Sequence, residues 1–414
     1  MQPFHYIYCH VKKTTMRLPY ILACLVIVFS VICSCTKISV DKSATTAGSP
    51  SGITTGDGAF SSIGGGGGVS GGDSIVHAAG VLTAGEWNDF DNWPYWQQLN
   101  NKDTLKDFQA RWGFYPNEKW MFTVKDAAGR PVADAGVIIT SNGLEVWSGR
   151  TNRFGILQVV PGIFSAILPV NMKYKISYED QEYPGAALTK ANREIAVTLN
   201  TKIVESATVD LMFVVDATGS MGDEIIYLKN ELKDVLSRAA RQVPGSLRYA
   251  GIFYRDFGDE YITRVNEFSG NNTSLISFVA DQKADGGGDY PEAVEEALKA
   301  AVQQQWSEHA RARILFLILD APVHDDEQKI KQLKEQVKLA AAKGIMIIPI
   351  SASGTDKPAE FLFRFIAQAT NGTYTFLTDD SGVGESHIAP TVGHYDVEFL
   401  NDLMVRLITK YGGN

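Results

Sequence analysis

The most constraining stretch of the chain is an apolar run from Leu211 to Val215 that breaks at Asp216-Ala217-Thr218-Gly219-Ser220. An uninterrupted apolar run bounded by turn residues reads as a strand buried on both faces. The residues that follow carry apolar side chains at Ile225, Leu228, Leu232, Val235 and Ala239, one stripe of an amphipathic helix. Strand, tight turn and helix in that order begin an α/β unit. Asp216, Thr218 and Ser220 fall on the loop at the carboxyl end of the strand, where open α/β sheets bind ligands. Oxygen side chains at alternate positions can converge above such a loop, and oxygen-only donors suit Mg²⁺, Ca²⁺ or Mn²⁺.

The alternation continues downstream. Strand-like segments at residues 247–254, 261–265, 313–319, 345–350 and 373–377 are interleaved with helical patterns at 291–304, 328–342, 361–370 and 397–409. This predicts a doubly wound, mostly parallel, Rossmann-like sheet covered on both faces over residues 203–414. Two further loops at strand ends carry acids. Asp285-Gly286-Gly287-Gly288-Asp289-Tyr290-Pro291 offers Asp289 either as a metal ligand or as the N-cap of the helix that Pro291 opens. Leu319-Asp320-Ala321 ends a continuous apolar strand in a carboxylate, which is costly there unless it is paired or bound to a cation.

These three loops resemble those of von Willebrand factor type A (VWA) domains with a metal-ion-dependent adhesion site. Thr218 replaces the middle serine of the family's Asp-x-Ser-x-Ser. Asp289 stands where the family's second loop has threonine, and Asp320 matches the acid of the third. The resemblance implies a site of Asp216, Thr218, Ser220, Asp289 and Asp320 holding Mg²⁺, or Ca²⁺ or Mn²⁺. It also implies metal-dependent binding of a protein or glycan. Three acids in place of the usual two would leave the loaded site net negative and favour neutral oxygen ligands over a partner's carboxylate.

Residues 117–202 read as a small all-β sandwich of short alternating strands at 120–124, 136–140, 144–147, 156–160, 174–178 and 194–199. Asp126 to Ala135 together with Thr151-Asn152-Arg153-Phe154-Gly155 resembles carboxypeptidase regulatory-like or transthyretin-like domains, which implies a spacer or docking module. Residues 76–116 are predicted to be an irregular, aromatic-rich segment with a short helix at 103–108. Its cluster from Trp87 to Trp96 reads as rings clamped on the domain that follows, or else as a sugar- or cation-binding patch.

The four cysteines, Cys9, Cys24, Cys33 and Cys35, all lie at the start of the chain, so no disulfide staples the domains. Lys12, Lys13 and Arg17 precede an apolar run from Leu18 to Cys33, as in a secretory signal. Met16 is an alternative start. Val31-Ile32-Cys33-Ser34-Cys35 resembles a bacterial lipoprotein cleavage box, which implies a signal over 1–35, lipidation at Cys35 and an envelope location. A plain signal peptide or short anchor is the other reading. The Gly/Ser/Thr-rich residues 36–75 read as a flexible tether.

A net charge of -9 without a basic stripe excludes nucleic acid as the expected partner. Catalysis is not expected. Thr218 stands where a haloacid-dehalogenase-type phosphatase needs a second Asp, a nucleophile elbow lacks its first glycine, and His324, His387 and His394 have no motif around them. A scaffold with a purely structural metal and a metal-dependent hydrolase are the alternatives to an adhesion or assembly role.

Overall fold

A computed structural model describes residues 82–204, 206–381 and 386–413. The expected signal at 1–35, its lipidation at Cys35 and the expected tether at 36–75 lie outside the described residues.

The central element is an eight-stranded sheet in the order β11-β10-β9-β12-β13-β14-β1-β15. Its middle is β9 (Thr208–Asp216), flanked in parallel by β10 (Ser246–Tyr254) and β12 (Ala312–Leu319), and continued by β13 (Ile345–Ser351) and β14 (Tyr374–Thr378). These strands are almost wholly buried because helices cover both faces, which is why they read as unbroken apolar runs. On one face lie α3 (Gly222–Gln242) and α8 (Leu400–Gly412). On the other lie α5 (Val294–Val302), α6 (Glu327–Lys343) and α7 (Lys357–Ala369). The antiparallel edge strand β11 (Thr263–Ser269) and α4 (Asn272–Ala280) complete that end of the sheet.

The expectation of an irregular segment at 76–116 is corrected. Its described part forms β1 (Thr83–Trp87), α1 (Trp93–Asn100) and α2 (Asp103–Trp112). β1 lies inside the main sheet, antiparallel to both β14 and β15 (Val397–Phe399). It is hidden in the sequence because Thr-Ala-Gly-Glu-Trp has weak strand propensity. Pairing on both sides holds it instead. Gly85 is required there, since a Cβ would come 2.7 Å from the Phe376 ring and 2.8 Å from that of Tyr395. The neighbouring rings pack on α7 of the same α/β unit, with Trp96 and Phe108 against Phe361, and Trp96 and Phe114 against Phe365.

Between β1 and β9 the chain makes two small sheets, so this β region is an insertion within the strand sequence of the α/β sheet. One sheet joins β5 (Ile156–Val159), β2 (Trp120–Asp126) and β8 (Glu194–Leu199). The other joins β4 (Leu144–Arg150), β3 (Gly136–Ser141), β6 (Met172–Tyr178) and β7 (Gln181–Ala187). Trp120, Phe122, Ile139 and Trp147 are buried in a core continuous with that of α5, α6 and α7. The Arg313 guanidinium, buried at the base of β12, forks onto Asp134 of this region at 2.8 and 3.1 Å.

Candidate metal site

Val215 of β9 pairs with Ile318 of β12, so Asp216 and Asp320 emerge at the ends of adjacent strands. Both are buried, as is Thr218. Asp216 Oδ1 accepts the Thr218 backbone N–H at 2.9 Å and its hydroxyl at 2.7 Å, which folds the loop back over the strand end. Asp216 Oδ2 is buried with no hydrogen-bond partner.

The glycine loop is tied to this first loop. The Gly219 N–H donates to Gly286 O at 3.2 Å, and the Asp285 N–H to Ala217 O at 3.1 Å. Gly286 and Gly287 have φ of +77° and +73°, which glycine adopts at no steric cost. A Cβ on Gly287 would stand 3.1 Å from Thr218 Cβ and 3.2 Å from Glu292 Oε1. Asp259 secures the turn by accepting from the Gly287 and Asp256 N–H groups at 2.9 and 3.1 Å. The Tyr290 hydroxyl donates to Asp320 O at 3.1 Å and accepts from the Asp356 N–H at 2.8 Å, linking the third loop to the start of α7.

Of the residues expected from sequence, Thr218, Ser220, Asp289 and Asp320 line one open cleft, whereas Asp216 is fully buried at the strand end and bonded to Thr218. They differ in burial: Ser220 and Asp289 are exposed. The capping expectation for Asp289 is corrected, since α5 starts at Val294 with Ala293 as its N-cap residue. The helix starts late because Glu292 forms a one-residue bridge with Val323 instead of a helical turn. Glu292 lines the same cleft and is only 3% exposed. Sequence reasoning passed it over as part of a helix start. His324, considered from sequence as a possible base without a motif, has its Nε2 2.6 Å from Asp256 Oδ1.

Among the described residues, no three His, Cys, Asp or Glu side chains are already spaced to grip one ion. The set that does assemble is two buried strand-end carboxylates, the Thr218 and Ser220 hydroxyls and a glycine cradle. That is a hard-oxygen donor set, and with the unpartnered Asp216 Oδ2 it fits a divalent cation.

Burial, and then the charge of Asp320, pushes the Asp216 carboxyl up to about 7. Burial, followed by Asp216, Asp256 and Asp320, pushes Glu292 up to about 9. Burial also raises Glu224, which accepts the Ser353 hydroxyl at 2.7 Å. A carboxyl whose pKa is higher folded than unfolded keeps its proton longer in the folded chain. Stability contributed by these groups therefore falls as pH rises from about 4 through 9. With chelator present, melting temperature is expected to decline from pH 5 to pH 9, and Mg²⁺ to restore more of it at pH 8 than at pH 5.5. A profile flat over that range, read by calorimetry, would count against the assignment.

Residues 210–383 match the family model described as von Willebrand factor A domain. The chain is 32% identical over 145 residues to the Dictyostelium discoideum protein named alpha-protein kinase vwkA, covering 34% of this chain and 22% of that one. It is 34% identical over 119 residues to the putative ariadne-like RING finger protein R811 of Acanthamoeba polyphaga mimivirus, covering 28% and 11%. The aligned parts thus span under a quarter of either relative. Among solved structures, the conserved hypothetical protein BatB from Bacteroides thetaiotaomicron aligns at 15% identity and a TM-score of 0.35, over 49% of this chain and 98% of that one. Residues 210–383 thus match a VWA domain, a class that suggests a protein-interaction or adhesion-type role.

Proposed function

We infer that this chain is a lipid-anchored cell-envelope protein whose VWA domain binds a protein or glycan through a divalent cation, in adhesion or assembly and without catalysis. Asp216, Thr218, Ser220 and Asp320 would hold Mg²⁺, or Ca²⁺ or Mn²⁺, with Asp289 exposed on the same cleft. When bound, the ion supplies an electropositive contact for an oxygen of the partner. The chain's own residues do the rest. Thr218 orients Asp216, the glycines let backbone approach closely, and Tyr290 fixes the third loop.

The observation that carries this reading is the Asp216 carboxylate, fully buried at a strand end with one oxygen unpartnered. Such a group is expensive to keep without a cation. Cys35 and its acyl chains would provide the membrane attachment. Among the described residues no helix is long and apolar enough to cross a membrane.

Capture of a partner from envelope extract by the full-length chain tests the proposal. The expected result is capture that is lost with EDTA and lost in Asp216→Ala. Capture indifferent to chelator would favour a metal of purely structural use, and turnover in a broad hydrolase screen would favour a metal-dependent hydrolase.

A further inference from the structure

The geometry points to Glu292, and not Asp289, as the third acid of the cation site, giving the loaded site a net negative charge and a preference for neutral-oxygen or cationic groups over acidic ones. This rests on the metal reading above.

Glu292 is locked to the strand ends. Its N–H donates to Pro322 O at 2.9 Å, its carbonyl accepts the Val294 N–H at 2.8 Å, and it pairs with Val323, the residue after Pro322. Its side chain is buried and turned toward the loop of Asp216. The point where a Gly287 Cβ would sit lies 3.2 Å from Glu292 Oε1 and 3.1 Å from Thr218 Cβ, so both side chains flank the glycine. Glu292 Oε2 is buried without a hydrogen-bond partner. The buried Tyr254 hydroxyl lies within electrostatic reach of Asp216, Glu292 and Asp320 alike. Asp289, by contrast, is exposed.

Asp216 and Asp320 together balance a divalent ion, and Glu292 adds one negative charge beyond neutrality. A carboxylate from a partner would meet like charge. Hydroxyl and carbonyl oxygens satisfy the same ion without that repulsion, and Lys or Arg beside them gains from it.

The test is Mn²⁺ titration of the chelator-stripped full-length chain by calorimetry, followed by water-proton relaxation of the loaded protein as acetate is added. Glu292→Gln keeps the shape and removes the charge. It is expected to weaken Mn²⁺ by about tenfold or more, while Asp289→Asn changes affinity by less than about threefold. Acetate is expected to displace Mn²⁺-bound water in Glu292→Gln but not in the wild type. Equal Mn²⁺ affinity of wild type and Glu292→Gln, or equal acetate binding to both, overturns the inference while leaving the metal reading intact. No Mn²⁺ binding by the wild type overturns the metal reading and this inference with it. Glu292→Thr replaces Glu292→Gln if the latter does not fold.

Discussion

Asp216→Asn is expected to raise the melting temperature of the chelator-treated protein at pH 8 and to abolish the further rise that Mg²⁺ gives the wild type. At that pH the wild-type carboxyl is ionised in a site that pushes it up to about 7 through burial and the nearby Asp320. Asparagine is the same size and its oxygen still accepts from the Thr218 N–H and hydroxyl, so the loop geometry survives. What disappears is a buried negative charge, a change worth roughly 1–4 kcal/mol in the folded state's favour. The same replacement removes a charged oxygen from the cation's donor set. Stability gained together with metal response lost is the pattern of a functional site held at the fold's expense. Calorimetry with EDTA and with Mg²⁺ decides it. If Asp216→Asn responds to Mg²⁺ as the wild type does, Asp216 is not a ligand.

The second large effect is expected at residues that do not line the cleft. Asp89 Oδ1 and Oδ2 accept from Arg364 at 2.5 and 3.0 Å, with Trp87 Nε1 at 2.9 Å and Gln368 at 3.1 Å completing the set. Arg364 is fully buried on α7 and flanked by the rings of Trp96 and Phe361. Its other carboxylate, Glu360, is more distant at 3.4 Å. Asp89→Ala therefore takes the nearest counter-charge from a buried guanidinium, leaving it Thr391 O at 2.7 Å and the more distant Glu360, and is expected to cost about 3–5 kcal/mol, a loss on the order of 10 °C in melting temperature. Asp91→Ala, at an exposed position close by, should stay within about 0.5 kcal/mol. The double variant Asp89→Leu with Arg364→Met should be more stable than Asp89→Ala, since it removes both charges together. Equal melting temperatures for Asp89→Ala and Asp91→Ala would show that the pair is not what fastens this segment.

The contrast between these sites follows what the sequence made legible. β9, β12 and β13 are covered on both faces, so their apolar runs are unbroken and the acids Asp216 and Asp320 stand out at the ends. Thr218 and Ser220 then follow from loop spacing. β1 was not legible, because a five-residue strand with Ala84 and Gly85 at its centre carries no alternation and is held by its neighbours. β7 was missed for a related reason: it is mostly exposed and holds Pro184. α4 went unread despite the Asn271 side chain that caps it. The helix pattern at 397–409 concealed β15, whose Val397 and Phe399 are exposed on the sheet edge. Glu292 was obscured by Pro291, which signals a helix start, whereas the bridge to Val323 is a long-range pairing with no local periodicity. Its one local sign was an acid set directly before Ala293 and Val294, both fully buried.

The placement of β1 also has a mechanical consequence. The strand is bonded on both flanks, and its first neighbour, Leu82, accepts the Leu400 N–H at 2.8 Å. A tug entering the molecule at residue 82 and directed along the strand meets two ladders in shear, whose bonds resist together and do not open one by one. Force applied at that end is thus delivered straight into the sheet whose strand ends carry the candidate cation site.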